Sequence, residues 1–194
     1  QNGTLTNGSV LFWDEPEDPN YLRPRAELKN DDFARVAGCS VVASDLGYRM
    51  SVGESAQIRA AVAIKKLDNP IADAAAIKVR IAPIQGDACN RAAYLVFGAA
   101  PADSSLVKCG VRLRIGQAVI LQEGAAGARP ASKAYKAAGE KEIELEAKVD
   151  LAKKEIVFSV DGTTVSDTLR IPMKTISYVG CMAEGEGFEF TDFD

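Results

Sequence analysis

The chain has 194 residues, of which 47% are hydrophobic and 26% charged, as expected for one globular domain with a sizeable core. Its net charge of -4 and isoelectric point near 5.1 argue against a nucleic-acid-binding protein, which needs a basic surface to displace phosphate counterions. The longest strongly apolar stretch, residues 36–43, is interrupted by Gly38 and Ser40. It is far shorter than the ~20 residues that cross a bilayer, so we expect no membrane span.

The N-terminal part of the chain differs from the rest. A predicted strand at residues 9–13 is followed by an acidic, proline-containing stretch that is typical of an irregular loop. We therefore expect residues 1–30 to form an N-terminal strand and loop, and residues 31–194 to form the body of a single domain.

Acidic residues in the loops suggest calcium as the only cofactor. Asp14 and Asp18 near the start of the chain, and Asp192 near its end, offer the hard oxygen ligands that calcium takes. The alternative is that these loops are simply solvated, which the absence of an ordered ligand spacing favours.

The four cysteines lack the close spacing of zinc ribbons or redox motifs. Cys89 and Cys109 flank a predicted hairpin, and Cys39 and Cys181 lie in strand-like segments near opposite ends of the chain. We predict the disulfides Cys89–Cys109 and Cys39–Cys181. The first residue, Gln1, fits a chain from which a leader has been removed. Together with the two disulfides, it predicts a secreted, periplasmic or cell-surface protein. The alternative is four buried thiols in a reducing compartment.

Apolar and polar residues alternate in short runs from residue 57 onward, and Gly, Pro, Asn and Asp separate the runs. Successive side chains of a strand point to opposite faces, so each run predicts a strand with one buried face. The clearest runs are residues 57–65, 75–81, 109–115 and 142–151. In the third, Cys109 and Ile115 are both expected to face inward.

Residues 140–154 are good helix formers, but the apolar residues there recur at every second position, which only a strand keeps on one face. The segment most tolerant of helix is residues 130–139. Asp161-Gly162 follows another alternating run and predicts a two-residue hairpin turn, because this pair accepts positive φ angles. Two further strands are predicted at residues 176–182 and 188–193.

The C-terminal third resembles the concanavalin-like, laminin-G-like superfamily. The resemblance rests on Phe158-Ser159-Val160-Asp161-Gly162, a strand ending in a hairpin, and on the closing segment Phe190-Thr191-Asp192-Phe193. It implies an all-β fold in which two curved antiparallel sheets form a jelly-roll sandwich, with carbohydrate on the concave face or at the loop edge. It does not imply catalysis.

A second, shorter resemblance points to an enzyme. Arg25-Ala26-Glu27-Leu28-Lys29 is similar to the Arg-x-Glu-Leu-Arg strand of alginate and glucuronan lyases. The Gln-x-His strand of those enzymes has only Gln57-Ile58-Arg59 as its counterpart, and the chain contains no histidine. A tyrosine or lysine would then have to abstract the sugar C5 proton.

The missing histidine also excludes Ser-His-Asp and Cys-His nucleophiles. Glu142, Glu144 and Glu146 share one strand face and could supply a glycosidase pair. The alternative, which we favour, is that they form ion pairs with basic residues on a neighbouring strand.

Outward basic residues on several strands could bind an anionic glycan. The candidates are Arg59, Lys65, Lys78, Arg80, Arg112 and Arg114. The aromatic residues suited to stacking on a sugar ring are Trp13, Tyr48, Tyr94 and Tyr135. The alternative for the basic residues is that glutamates on a neighbouring strand neutralise their charge. The alternative for the aromatic residues is that they occupy core or edge positions.

We therefore predict a non-catalytic, carbohydrate-binding β-sandwich whose partner is a polysaccharide or other glycan. The first alternative is a structural subunit of a surface layer or filament, in which residues 3–13 add as a strand to a neighbouring copy. The second is a polysaccharide lyase or glycoside hydrolase that uses Arg25, Glu27 and Tyr94.

Overall fold

The expected all-β fold is confirmed. The computed structural model describes residues 10–14, 23–28, 39–44, 47–52, 60–83, 92–100, 103–127, 129–137, 142–184 and 188–191. Within these ranges the regular elements are fifteen β-strands and one short 3-10 helix, Asp103–Ser105. No helix in the described ranges is long and apolar enough to span a membrane.

The strands follow one another along the chain with short connections. They are β1 (Val10–Asp14), β2 (Arg23–Leu28), β3 (Cys39–Ser44), β4 (Gly47–Val52), β5 (Ala60–Ile71), β6 (Ala74–Pro83), β7 (Ala92–Gly98), β8 (Leu106–Arg112), β9 (Gln117–Leu121), β10 (Ala131–Ala134), β11 (Ile143–Asp150), β12 (Glu155–Val160), β13 (Thr163–Thr168), β14 (Ile176–Glu184) and β15 (Phe188–Thr191).

Two antiparallel sheets form the sandwich. The six-stranded sheet has the order β10-β9-β8-β7-β14-β5, and the seven-stranded sheet has the order β13-β12-β11-β6-β15-β4-β3. The main hydrophobic core is built from residues of both sheets, including Leu95 and Cys109 of the first and Leu145 and Phe158 of the second. β1 and β2 pair separately, and β1 lies beside β5.

The alternation in the sequence corresponds to the observed burial. In β11 the side chains of Ile143, Leu145, Ala147 and Val149 are buried, and the residues between them are exposed or half-buried. The strand prediction for this helix-prone segment is therefore confirmed, because its apolar face is needed to cover the core. The Asp161-Gly162 turn is confirmed as well, with φ angles of 43° and 79° at its two residues.

Two sequence expectations are wrong. β8 ends at Arg112, and Ile115 lies in the following turn with 57% of its surface exposed rather than facing inward. Residues 23–28 form β2, where part of an irregular loop was expected. In the segment most tolerant of helix, residues 131–134 form β10, which pairs with β9.

The central part of the six-stranded sheet is buried on both faces. Every residue of its strand β7 is buried. The inner set, Ala93, Leu95 and Phe97, belongs to the main core. The outer set, Ala92, Tyr94 and Val96, belongs to a second hydrophobic cluster with residues of the neighbouring strands. Polar side chains on this outer face therefore lie in or beside an apolar environment.

The buried side chain of Gln122, just after β9, connects the two sheets. Its amide nitrogen donates to Asp167 Oδ2 and to the carbonyl oxygen of Thr168, both at 2.9 Å. Its amide oxygen accepts from the backbone nitrogens of Arg170 at 2.8 Å and Ile171 at 3.4 Å. All four hydrogen-bonding positions of the amide are used, as a buried amide requires.

Tyr135 forms a second connection. Its ring is buried, its hydroxyl donates to Asp161 Oδ2 at 2.7 Å, and its backbone nitrogen donates to the carbonyl oxygen of Gly116 at 2.8 Å. The residue therefore holds the β12–β13 turn against the end of β10, and the expected sugar-stacking role of Tyr135 is not supported.

The described residues contain no disulfide. Cys109 is a buried free thiol, and Cys181 is also buried. The two cysteines lie on either side of Leu95 in the register of β8, β7 and β14. Two strand spacings place their Cα atoms about 9.5 Å apart, too far to bond. Cys89 and the side chain of Cys39 lie outside the described residues, so neither predicted disulfide has support.

Alkylation of the unfolded chain without reductant tests the state of Cys109. We expect iodoacetamide to modify Cys109 after unfolding and not before, because burial shields the thiol and raises its pKa. Peptide mass spectrometry gives the measurement. A Cys89–Cys109 linked peptide from the unreduced protein would contradict the free thiol.

Substitution of Gln122 tests the connection between the sheets. Gln122→Ala removes four hydrogen bonds of a buried amide, one of them to the buried Ile171, and is expected to lower the free energy of unfolding by about 1–3 kcal/mol. Gln117→Ala, in the half-buried first position of β9, is the matched control. Equal losses for the two variants in urea denaturation would show that the Gln122 hydrogen bonds contribute nothing specific.

Candidate ligand-binding site

A group of polar side chains lies on the outer face of the six-stranded sheet. We call it the polar cluster and define it as Tyr94, Lys108, Arg112, Glu123 and Glu184. The group forms because β14, β7 and β8 are neighbours. Ala92 pairs with both Glu184 and Arg112, and Tyr94 pairs with Gly110 and Met182 in the next outward row.

Tyr94 is the centre of the cluster. Its ring is fully buried, its hydroxyl donates to Glu184 Oε2 at 3.2 Å, and it accepts from Arg112 Nε at 3.1 Å. Gly110 makes room for the ring. A Cβ at that position would lie 2.6 Å from Tyr94 Cδ1 and 2.0 Å from the carbonyl oxygen of Ala93. The missing side chain of Gly110 is therefore a requirement of the site.

Lys108 lies two residues before Gly110 on the same strand face. Only 1% of its side chain is exposed, and its ammonium group is 2.9 Å from Glu123 Oε2. Glu123 is 42% exposed, so the pair reaches from the buried face of the sheet to solvent. Burial of the lysine makes this ion pair less screened than one on an open surface.

Burial and neighbouring charges set the ionisation of the cluster. Burial raises the pKa of Glu184, while the nearby Lys108 and Arg112 act in the opposite direction. Burial, together with the Glu184 charge, also raises the pKa of Tyr94. Burial disfavours the charged form of Arg112, but contact with Tyr94 and the nearby Glu184 and Glu123 together outweigh it, so the pKa of Arg112 is raised overall. Tyr94 is thus a neutral phenol and Arg112 a cation.

The arrangement suits recognition better than proton transfer. Tyr94 would be a poor general base at neutral pH because its phenolate is disfavoured. The partly exposed groups, Arg112, Glu123 and Glu184, offer charged donors and acceptors of the kind that hydrogen-bond sugar hydroxyls and acidic groups.

The structure brings together two of the predicted site residues, Tyr94 and Arg112. Arg80 lies on the other sheet, and Arg114 lies in the exposed turn after β8. The outward basic residues therefore do not all adjoin in one sheet, because β6 and β8 belong to different sheets. Arg59 lies outside the described residues.

Other predicted residues are not tested. Trp13 and Asp14 lie in β1, Arg25 and Glu27 in β2 and Tyr48 in β4, and their side chains lie outside the described part. Asp18 and Asp192 are not described either. The described residues hold no group of three acidic or cysteine side chains placed for a metal ion. Calcium therefore remains a prediction without structural support.

The strand that carries Glu144 and Glu146 pairs with a strand that carries basic residues, which is the alternative that we favoured from the sequence. β11 and β6 are neighbours, with Glu144 opposite Arg80 and Glu146 opposite Lys78. The ion-pair distances are 3.8 Å for Arg80–Glu144 and 3.2 Å for Lys78–Glu146. These carboxylates compensate cations on an exposed sheet face, so this geometry gives no support to a glycosidase pair.

Sequence reasoning missed Lys108, Glu123 and Glu184. Alternation along β8 would have placed Lys108 on the same face as Arg112, and alternation along β14 would have placed Glu184 on one face with Met182. No local signal shows that this face is covered, since burial there depends on segments distant in sequence.

Comparisons with known proteins give the fold. No model of a known protein family matches the chain, and neither does any curated protein sequence. Among solved structures, the carbohydrate-binding module CBM66 from Bacillus subtilis has a TM-score of 0.56 at 13% identity, covering 84% of this chain and 90% of that one. A family 7 alginate lyase has a TM-score of 0.53 at 13% identity, covering 97% and 92%.

A sialidase gives a TM-score of 0.58 at 15% identity, covering 84% of this chain, but this match spans only 16% of the sialidase. At such low identities the similarities establish a shared jelly-roll sandwich and nothing about activity. The chain is therefore similar in architecture both to a binding module and to an enzyme.

The pH dependence of stability tests the environment of Glu184. Its folded-state pKa is raised above the ordinary value of 4.5, so protonation favours the folded state. This stabilisation is present at low pH and is lost as pH rises through the folded-state pKa. Relative to Glu184→Gln, the wild-type protein should therefore gain stability as pH falls from about 7 toward 4.5.

Thermal denaturation of both proteins across that pH range gives the measurement, and the exposed Glu142 supplies the control variant Glu142→Gln. Other carboxylates titrate in both proteins and cancel in the difference. A wild-type protein that instead loses stability relative to Glu184→Gln on acidification would contradict the raised pKa.

Proposed function

We propose that this protein is a non-catalytic carbohydrate-binding β-sandwich whose ligand binds at the solvent-facing edge of the polar cluster. One observation carries the proposal, namely the hydrogen-bonded series Arg112–Tyr94–Glu184 centred on the doubly buried strand β7. Charged donors and acceptors held by a packed scaffold are what recognition of a hydroxyl-rich ligand requires.

The structural similarities add support at the level of architecture. A carbohydrate-binding module from Bacillus subtilis covers most of this chain, so the sandwich is a scaffold on which such binding occurs. We extend the proposal to a secreted, periplasmic or cell-surface location, since polysaccharides are found there. Mass spectrometry of the protein isolated from its source tests the location by detecting a removed leader.

A second candidate function, polysaccharide lyase, is favoured by one observation. The alginate lyase covers nearly the whole chain, whereas the sialidase match uses a small part of that enzyme. Against it stands the raised pKa of Tyr94. Incubation with acidic polysaccharides, followed by detection of unsaturated products, separates a lyase from a binding module, and Glu27→Ala then tests the lyase-like strand.

Strand donation by the N-terminal segment has no such support. Residues 10–14 pair with residues 23–28 of the same chain, and β1 lies beside β5. The part of the segment that is described is therefore already paired within its own domain.

Glycan binding by the polar cluster is tested with a glycan array followed by calorimetry. Arg112→Ala is expected to weaken binding of the best ligand by about 10- to 100-fold, since hydrogen bonds to charged groups contribute roughly 1.5–3 kcal/mol. Tyr94→Phe should weaken it less, because the guanidinium loses its anchor and not its charge.

Arg80→Ala removes an arginine of the opposite sheet and is the matched control, expected to leave affinity unchanged. Circular dichroism shows whether each variant is folded. Absence of binding to every glycan, or equal losses for Arg80→Ala and Arg112→Ala, would overturn the proposal.

A further inference from the structure

We propose that the glycan bound at the polar cluster is acidic, and that Arg112 recognises its carboxylate through the two terminal nitrogens of the guanidinium group. This inference rests on the proposed function and names the ligand class of that site. It is argued from the way in which Arg112 is held.

The inner nitrogen of Arg112 is already engaged. Nε donates to the Tyr94 hydroxyl at 3.1 Å, and Tyr94 in turn donates to Glu184 Oε2 at 3.2 Å. Because Nε lies in the guanidinium plane, this contact restrains the position of the group and the direction in which its Nε edge points. Tyr94 is itself immobilised by full burial over Gly110.

The terminal nitrogens of Arg112 have no hydrogen-bond or ion-pair partner among the described residues, although the side chain is only half-buried. Two parallel N–H groups on a fixed plane match the two oxygens of a carboxylate. A single neutral sugar hydroxyl would use one of these donors and leave the other to solvent. The geometry therefore favours a planar anion.

The charge balance of the cluster agrees with this ligand. Lys108 forms an ion pair with Glu123 at 2.9 Å. Arg112 keeps its positive charge at a half-buried position beside Tyr94, and partial burial limits the screening of that charge by salt.

Paired ligands test the inference. Calorimetry compares uronate-containing oligosaccharides with the same oligosaccharides after reduction of their carboxyl groups to alcohols. The wild-type protein should bind the acidic form at least about tenfold more tightly, the size of one charge-assisted hydrogen bond.

Arg112→Lys keeps the charge and loses the planar pair of donors, so it should lose most of this preference. Arg112→Ala should bind the acidic and reduced forms equally, whereas Arg80→Ala should keep the wild-type preference. Thermal denaturation confirms that each variant is folded.

The outcomes separate this inference from the proposed function. If the wild-type protein binds the reduced oligosaccharide as tightly as the acidic one, and Arg112→Ala still weakens both, the carboxylate assignment fails and the carbohydrate site stands. A preference for the acidic form that persists in Arg112→Ala also overturns the assignment. If the wild-type protein binds neither these ligands nor any other glycan, both fail.

Discussion

Burial of both faces of the six-stranded sheet around β7 determines the properties of the candidate site. β7 runs through this sheet with every side chain inside the protein, so any polar group placed there must bring its own partner. The Tyr94 hydroxyl meets this condition through Arg112 and Glu184, and Lys108 meets it through Glu123. The polar cluster is thus an ordered network rather than a set of separate surface charges.

Local patterns in the sequence are enough to predict the layers of the sandwich. Residues 143–149 alternate strictly, and their inward positions are the buried ones. Asp161-Gly162 has the backbone angles that its turn requires. Charge pairing between β6 and β11 also follows from the sequence, because complementary residues such as Lys78 and Glu146 occur at matching outward positions. These features depend on neighbours along the chain or on one strand pair.

The candidate site depends on information that local patterns do not contain. Alternation assigns Lys108 and Arg112 to an outward face, and an outward face is normally wet. Here the outer face of β8 is buried. Burial places Lys108 in an ion pair and holds the Arg112 guanidinium against Tyr94. The order of the strands in the two sheets cannot be predicted from local patterns either. Nothing in the sequence of β6 and β8 shows that Arg80 and Arg112 belong to different sheets.

Burial also determines the protonation of Tyr94. A general base at this position would need to lose its proton easily, yet full burial beside Glu184 raises the pKa of the Tyr94 phenol. The same burial stops the ring from moving, and a fixed phenol oxygen holds Arg112 Nε in one place. A guanidinium that is already ordered loses little conformational entropy when a ligand arrives, so more of its interaction energy is available for affinity. The feature that makes the cluster poor at moving a proton therefore makes it suited to holding an anion.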